Sequence, residues 1–460
     1  MPKETLKNLK ETKEGGKLKM KKCLKTKNGI TLIALVVTIV VLLILAGVSI
    51  SLVLDKNGII KKSKDARREY GQAKANEQEQ MNDTNDWIDE IVTGKTSTVV
   101  KSFKEAKTEN STIDGKKEGN ANNPTIPAGY IPINTETSNW GNGKDEPSQD
   151  SVNHGLVIKD EQNNEWVWVP VDSTTLATMY EESSDEKTLC GTTGETAVKT
   201  KLYSKSITIG TDSNKTTMSR TTPGTTTNPY DREPDLVVGS GTEYDASDTY
   251  CKTILGETGT KEQLAQLFAD EYKAMIESVS KYGGFYIGRY ELSEAGVQKD
   301  KATLTKTNWY DLYNACRSSK LQASDKVKTQ MIWGCQWDVT MNWLISSGAK
   351  TSNEVNKDSS SWGNYNNTSV KADDGKTELK ARGTSAWLNT GKTTFTMANN
   401  IYDLAGNCYE WTQEASGTYS RAYRGGHSYL SGSNNPASDR HVIYPDRGSI
   451  RFSSHFNNKI

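Results

Sequence analysis

Cysteine and histidine are the side chains most suited to bind a transition metal or to act in nucleophilic catalysis, and this chain has few of them. It contains six cysteines and four histidines among 460 residues. His427, His441 and His455 are each fourteen residues apart, a spacing that matches no local metal-binding pattern. The cysteines have no zinc-site spacing, and no HExxH, P-loop or nucleophile-elbow motif is present. The residue types therefore predict no catalytic site of these kinds.

The composition favours a binding protein whose partner is not a nucleic acid. The formal net charge is zero, so no nucleic-acid partner held by phosphate contacts is expected. Hydrophobic residues make up 34% of the chain, below the ~45–50% of globular proteins. Eleven tryptophans and 20 tyrosines outnumber six phenylalanines. Tryptophan and tyrosine combine an apolar body with a polar group, which suits binding surfaces.

The N-terminal region predicts a membrane span. Residues 1–29 are rich in lysine, and the segment 30–54 carries no charged residue. As a helix rising about 1.5 Å per residue, this segment covers about 37 Å, enough to cross a hydrocarbon core of ~30 Å. The lysines predict a cytoplasmic N-terminus. The sequence therefore predicts a protein of the cell membrane with one N-terminal span and an extracytoplasmic C-terminal domain at the cell surface. A plain N-terminal anchor is the simplest interpretation.

A second interpretation of the same region comes from a resemblance. A lysine-rich leader ending in Gly29, followed at once by an apolar helix from Ile30, resembles the leader of type IV pilins and pseudopilins. The resemblance implies a leader at 1–29, cleavage between Gly29 and Ile30 by a prepilin peptidase, and a pilin-like helix at 30–92 that packs against pilin-type subunits. The family usually has glutamate at the fifth mature position, where this chain has Ala34. That departure favours a minor or anchored subunit over a long pilus.

The remainder divides into a linker and a folded body. Residues 93–125 contain few apolar side chains and predict a flexible linker, and a domain is expected over 126–460. Within it, residues 173–260 are a low-complexity segment predicted to be a surface insertion. Cys190 and Cys251 lie inside this insertion. A disulfide between them is a hypothesis that rests only on the expected extracytoplasmic location of the domain, where disulfides form and persist.

Several segments of the body have the periodicity of regular structure. The run EWVWVPVD at 165–172 and the run GGFYIGRYELS at 283–293 predict strands. Apolar residues at three- and four-residue steps predict an amphipathic helix over 260–283, and two more helices are expected at 308–319 and 330–348. In the last helix, one apolar stripe is predicted to be core: Ile332, Trp333, Trp337, Met341 and Leu344.

Five motifs in this order suggest a family. WVWVPV, GGFYIGRYE, MIWGCQWD, IYDLAGNCYEWT and YRGGHS together resemble the formylglycine-generating enzyme (sulfatase-modifying factor) family over residues 126–460. The resemblance implies an α+β fold, in which a long N-terminal transmembrane helix precedes an elaborated C-type lectin-like domain. It also implies a structural calcium ion, with Asp403 and Glu410 binding through side chains and Gly406 and Cys408 through backbone carbonyls. Carboxylates and carbonyls in a glycine-containing turn are suitable calcium ligands.

The catalytic cysteines of that family are missing. Its enzymes bind copper through two cysteines after the RGG motif, and no cysteine follows Cys408 here. Since a soft Cu(I) site needs thiolates, no copper is expected and the chain is predicted not to be an enzyme. A formylglycine-generating-type oxidoreductase, or a degenerate relative, remains an alternative.

The C-terminal region has a restricted set of residue types. Residues 421–458 contain no Lys, Glu, Gln, Trp or Met. Every type present there can arise from an asparagine codon whose first two adenines are changed, whereas the five missing types cannot. This pattern resembles the variable region of proteins served by diversity-generating retroelements. The predicted variable, ligand-binding positions are His427, Ser428, Tyr429, Leu430, Asp439, His441, Val442, Ile443, Tyr444, Asp446 and Arg447. Frame-like residues interrupt them: Gly425, Gly426, Gly432, Pro436 and Pro445.

The sequence thus predicts a membrane-anchored or pilus-associated adhesion or recognition protein whose C-terminal loops bind a surface ligand, either a protein or a glycan. A structural minor pilin is a further alternative. Adaptable loops that carry tyrosine, histidine, leucine and arginine on a fixed scaffold are typical of recognition surfaces.

Overall fold

A computed structural model describes residues 103–106, 109–113, 119–133, 135, 149–189, 194–204, 249–305, 308–416, 420–445 and 456–457. Every described residue belongs to one compact unit, 97–460. The predicted leader, cleavage site and pilin-like helix, including Gly29, Ile30 and Ala34, lie outside the described residues.

Eight α-helices are described in this part of the chain: α1 Phe103–Ala106, α2 Gln149–Asn153, α3 Ser173–Met179, α4 Thr249–Leu255, α5 Lys261–Tyr282, α6 Trp309–Cys316, α7 Gly334–Ser346 and α8 Ser352–Asn356. Short 3₁₀ turns span Gly194–Thr196, Ser319–Leu321 and Thr394–Thr396. Most of the helices are short, and α5 and α7 contribute most to the core described below.

The strands run from β1 to β16: β1 Ser111–Thr112, β2 Thr125–Ile126, β3 Ile131–Ile133, β4 Val157–Lys159, β5 Glu165–Pro170, β6 Tyr180–Thr188, β7 Lys199–Ser204, β8 Gly284–Gly288, β9 Val370–Lys371, β10 Glu378–Lys380, β11 Met397–Ala398, β12 Ile401–Tyr402, β13 Tyr409–Ser416, β14 Ser420–Arg424, β15 Arg440–Ile443 and β16 Phe456–Asn457.

Two four-stranded sheets organise these strands. The first has the order β3-β4-β5-β8 and is antiparallel throughout. The second, the C-terminal sheet, has the order β15-β14-β13-β16; its first two pairings are antiparallel, and β13 pairs with β16 in parallel. The other described strands form two-stranded pairs.

The predicted amphipathic helix is confirmed as α5. Thr260 caps its N-terminus, since the Thr260 side chain accepts from the Gln263 N–H while the Gln263 side chain accepts from the Thr260 N–H. Gly283 ends it in the left-handed conformation, at φ 72°. The buried stripe of α5 packs Tyr272, Met275 and Ile276 into the same cluster as Val167 and Val169 of β5. One helix face and one strand face therefore share a core.

Helix α7 is also confirmed, and its predicted stripe is core. Ile332, Trp333, Trp337, Met341 and Leu344 are all at most 2% exposed. Trp337 Nε1 donates to the Ala437 carbonyl at 3.1 Å, which ties this helix to the C-terminal region.

Regular structure extends beyond the predicted boundaries. Strand β1 lies inside the segment expected to be a linker and pairs with β2 at the end of that segment, where Thr112 and Thr125 are buried. The described parts of the expected insertion hold α3, the β6–β7 pair and α4. Cys251 is buried in α4, whereas Cys190 lies outside the described residues, so their disulfide stays a prediction.

The predicted fold class and localisation need correction. The described part of the chain is a mixture of helices and sheets, and it holds no helix with the length and apolar character needed to span a membrane. The predictions of a long transmembrane helix and of a single-span membrane protein are therefore wrong by this structure. They rested on residues 30–54, which lie outside the described residues.

A cluster of four buried charges joins the C-terminal sheet to α7. Arg424 of β14 and Arg440 of β15 lie directly opposite each other, and both bond to the Asp338 carboxylate of α7. Arg440 Nη2 lies 3.0 Å from Asp338 Oδ2, and Arg440 Nε lies 3.0 Å from Glu414 Oε2. All four side chains are 0% exposed. Two like charges on facing strands repel, so the two carboxylates are needed for β14 and β15 to pair here.

The other face of β14 is held by Arg421. Its guanidinium lies over the rings of Trp309 and Phe268, with the central carbon 4.3 and 5.0 Å from the two ring centroids. The Arg421 Nη1 group donates to the Gln413 carbonyl. Helices α5 and α6 therefore contact the sheet on the side opposite α7.

Replacing Asp338 with Asn should lower the free energy of unfolding by about 3–5 kcal/mol, because two guanidinium groups would remain buried with one counter-charge removed. Lys392→Gln is the matched control, since Lys392 and Asp300 form an exposed pair at 2.9 Å that should contribute about 1 kcal/mol or less. Urea denaturation of both variants measures the difference. Equal losses in the two variants would contradict the role given to the cluster.

Candidate functional site

The predicted variable positions follow β14 along the chain. Residues 425–439 connect β14 to β15, and the strands pair so that Tyr423 faces His441 and Arg421 faces Ile443. Both strand ends that carry this connection belong to the four-charge cluster, at Arg424 and Arg440. The connection is therefore fixed at both of its ends by buried charge.

The RGG motif needs glycine for conformation and for space. Gly425 and Gly426 have φ angles of +87° and +80°, in the left-handed region. A Cβ on Gly426 would lie 2.4 Å from the Asn435 carbonyl oxygen and 2.7 Å from Cε1 of Tyr365. The Tyr365 hydroxyl also donates to the Gly425 carbonyl at 3.0 Å. The two glycines therefore allow the chain to turn tightly against Tyr365.

The backbone of the connection is bonded to neighbouring segments. Ser428 N–H donates to the Asn407 carbonyl at 3.1 Å, and Ser438 N–H donates to the Val355 carbonyl at 3.1 Å. The carbonyls of Leu430 and Gly432 accept from Asn366 at 2.9 Å and from Ser359 at 3.1 Å. These bonds use main-chain atoms of the connection, so they do not depend on which side chains it carries.

The segment that supports Leu430 is itself held by a buried lysine. The Lys380 Nζ group donates to the carbonyls of Tyr365 and Thr368, at 2.7 Å each. Burial lowers the pKa of this ammonium group, and the surrounding carbonyl oxygens are its hydrogen-bond acceptors. Because Lys380 holds the carbonyls of Tyr365 and Thr368, it also helps to fix the position of Asn366 between them.

The predicted positions differ in how far they reach solvent. Tyr429 and Leu430 are 52% and 37% exposed, and they are the exposed large hydrophobic residues of the described chain. His441 is exposed as well. Four more positions are half-buried: Asp439, Val442, Ile443 and Tyr444.

Two predicted positions do not reach the surface. His427 is 3% exposed, with its ring 5.0 Å from the rings of Tyr409 and of Tyr429, and Ser428 is 0% exposed, with its N–H bonded to the Asn407 carbonyl. Asp446 and Arg447 lie outside the described residues. The structure thus brings together seven of the eleven predicted positions at or near the surface.

A row of rings runs across these strands and loops. We call it the ring row, and consecutive centroids lie 6.3, 5.0, 5.0, 4.6 and 5.5 Å apart in the order Trp387, Tyr429, His427, Tyr409, Tyr423 and His441. Both ends are solvent-accessible, since Tyr429 and His441 are exposed and Trp387 is half-buried. The sequence analysis missed Trp387, Tyr409 and Tyr423. Strand register places Tyr409 and Tyr423 beside the predicted positions, whereas Trp387 lies outside the strands and meets Tyr429 through a contact distant in sequence. The sequence reveals neither the register nor that contact.

The His441 end of the ring row carries a polar group of three residues. His441 Nε2 lies 2.7 Å from Asp439 Oδ2, and Asn435 Nδ2 donates to the same oxygen at 2.6 Å. The hydrogen bond to Asp439 raises the pKa of His441, which favours the imidazolium form. Burial raises the pKa of Tyr423 to about 12, with a smaller contribution from Asp439. The Tyr423 hydroxyl therefore stays protonated near neutral pH, and the raised pKa of His441 favours a second hydrogen-bond donor beside the Asp439 carboxylate.

The predicted calcium turn is closed by internal contacts. Asp403 Oδ2 accepts from the Gly391 N–H at 2.8 Å. Cys408 and Glu410 are fully buried, and burial, with further contributions from neighbouring carboxylates, raises the pKa of the Cys408 thiol. In the described residues, no group of three or more His, Cys, Asp or Glu side chains is arranged to hold a metal ion. The predicted calcium set has two side-chain ligands, Asp403 and Glu410, and two backbone carbonyls, so this finding does not test it and calcium stays a prediction.

Comparison with known proteins adds little. No family model and no curated protein matches the chain. Among solved structures, the chain is similar to Treponema denticola variable protein 1, with 14% identity over 34% of this chain and 69% of that chain, and a TM-score of 0.20. This agrees with the predicted resemblance to variable proteins, but at low coverage, and a likeness at this TM-score carries no argument about fold or function. The pilin and formylglycine-generating enzyme resemblances receive no support from these comparisons.

Replacing Asp439 with Asn should return the pKa of His441 toward its ordinary value of about 6.5. Because the folded-state pKa is raised, the stabilisation from this pair is fully present below the unfolded pKa and is lost as pH rises through the folded value. NMR titration of the His441 ring measures the change. Asp374→Asn, in an exposed turn, is the matched control and should leave the His441 titration unchanged. An unshifted His441 in Asp439→Asn would contradict this assignment.

Proposed function

We propose that this protein is a binding module whose recognition surface lies on the β14–β15 connection, at the solvent-accessible ends of the ring row. The observation that carries the proposal is the exposure of Tyr429 and Leu430 on a backbone bonded through its own amides and carbonyls. Aromatic side chains with few rotatable bonds supply contact area at low entropic cost. The occupant we propose is a protein or glycan ligand and not a nucleic acid, in keeping with the zero net charge.

The same geometry supports a diversified surface. Side chains at Tyr429, Leu430 and His441 can change without loss of the hydrogen bonds that position the connection, because those bonds are made by main-chain atoms. The frame-like residues have structural reasons to be constant, as the Cβ contacts at Gly426 show. A fixed backbone with replaceable exposed side chains is the physical requirement for a variable binding face.

An oxidoreductase is the less favoured alternative. The thiol of Cys408 is fully buried, and its pKa is raised by burial and by neighbouring carboxylates. A thiol with a raised pKa is protonated near neutral pH, whereas nucleophilic attack and Cu(I) binding both need the thiolate.

Glycan and peptide arrays probed with the full chain test the binding proposal. For any glycan or peptide that binds, Tyr429→Ala should weaken binding by about 30-fold, the loss expected when an aromatic anchor is truncated. Lys273→Ala, on the exposed face of α5, is the control and should leave binding unchanged. A bound glycan or peptide that is insensitive to Tyr429→Ala and Leu430→Ala would place the binding surface elsewhere.

The genome around the coding sequence tests diversification. We expect a nearby near-repeat of the 3′ coding end with adenines at the codons for Tyr429, Leu430 and His441, together with a reverse transcriptase gene. The codons for Gly425 and Gly426 should be identical in the repeat. A genome without such a repeat and such a gene would remove the diversification hypothesis and leave the binding proposal in place.

A further inference from the structure

A second feature that could hold a ligand lies away from the predicted variable positions. A cavity of about 790 Å³ lies between α5, strands β5 and β8, and residues 322–332. Its volume is within the range of about 300–1,000 Å³ that is typical of small-molecule sites. None of the described variable positions lines it. The cavity therefore needs an explanation independent of the recognition surface.

The cavity has an aromatic and apolar wall. Trp168 of β5 and Tyr286 of β8 lie on facing strands with ring centroids 5.0 Å apart, and both rings line the cavity. Helix α5 adds one stripe of residues at three- and four-residue spacing: Leu267, Glu271, Met275, Ser278 and Tyr282. This wall suits the flat apolar body of a ligand.

A fixed polar group interrupts the apolar wall. Glu271 Oε2 accepts from the Tyr313 hydroxyl at 2.5 Å, and Glu271 Oε1 lies 3.2 Å from Arg317 Nη2. The Arg317 guanidinium also lies over the Tyr313 ring, 4.9 Å from its centroid. Both oxygens of Glu271 are thereby engaged, whereas Arg317 has further N–H donors on its planar fork.

Two basic side chains act on Glu271. Arg317 and Lys328 both line the cavity, and the charges of both lower the pKa of Glu271 against the larger effect of its burial. Two cations thus surround one carboxylate. Lys328 and the other charged lining residues, Asp270, Asp325 and Lys326, are exposed at the rim, where solvent screens them, whereas Arg317 is half-buried.

A buried amide adds another donor. Gln336 lines the cavity and is 7% exposed, and its Oε1 accepts from the Trp333 N–H at 3.1 Å. Its Nε2 donates to no described residue. The same wall therefore combines the guanidinium of Arg317, the ammonium of Lys328 and a buried amide N–H.

We propose that this cavity binds a small organic anion with an aromatic or apolar body. The body would lie against Tyr286, whose ring packs on Trp168, a side chain only 1% exposed, and the anionic group would accept hydrogen bonds from Arg317, Lys328 and Gln336 Nε2. A neutral molecule of the same shape would bind more weakly, since it would leave the further N–H donors of Arg317 without a charged acceptor.

Two fluorescent probes of nearly the same shape test the proposal on the full chain. They are 1-anilinonaphthalene-8-sulfonate, which is anionic, and N-phenyl-1-naphthylamine, which lacks the sulfonate. We expect one saturable site for the sulfonate, with affinity at least about tenfold above that for the neutral probe. Arg317→Gln should remove most of this difference and Lys328→Gln a smaller part of it, because Lys328 is exposed, and each should leave binding of the neutral probe within about twofold. Two variants are used because Arg317→Gln also removes a partner of Glu271.

The location of the site is tested by matched variants on one helix. Ser278→Trp fills the cavity and should weaken both probes by at least about tenfold. Ser280→Trp, two residues along on the exposed surface outside the cavity, should leave binding unchanged. Binding that survives Ser278→Trp but is lost in Tyr429→Ala would overturn the proposal, and so would equal affinity for the two probes.

Discussion

The structure around the recognition surface depends on four charges that have no contact with water. Arg424 and Arg440 face each other across β14 and β15, an arrangement that is repulsive by itself. Asp338 reaches from α7 to bond with both, and Glu414 of β13 lies 3.0 Å from Arg440. The cluster is neutral as a whole, and each charge is buried at the cost of its hydration. That cost fixes which residues of β14 and β15 face each other, since a shift in register would leave a charge unpaired.

This register determines the geometry of the connection between the two strands. The chain leaves the cluster at Arg424, turns through two glycines in the left-handed conformation and returns at Arg440. Between these points its amides and carbonyls bond to Asn407, Ser359, Asn366 and Val355. Side chains that reach solvent from such a connection are carried by a rigid backbone. Affinity can then depend on the side chains alone, without an added cost for ordering a loop.

Much of the fold could be predicted from local patterns in the sequence. Helix α5 has a repeating apolar stripe, an N-cap threonine and a C-terminal glycine, and each of these signals is local. The ring row could not be predicted, because Tyr409 and Tyr423 meet only through cross-strand pairing in the C-terminal sheet. The burial of His427 was missed for a related reason. Histidine is one of the residue types that an altered asparagine codon can encode, so the sequence pattern includes His427 among the variable positions, whereas its burial depends on contacts with residues distant in the sequence. The membrane prediction relied on hydropathy and on the lysine-rich flank, both in residues outside the described chain.

The central claim is that the backbone of residues 425–439 keeps its position whatever side chains it carries at the exposed positions. Amide hydrogen exchange on a variant with alanine at Tyr429, Leu430 and His441 tests it most directly. The account predicts that the amides of Ser428, Leu430 and Ser438, each bonded to a carbonyl in the structure, exchange as slowly as in the unmodified chain. Fast exchange at these amides in the variant would show that the side chains order the connection, and would contradict the account.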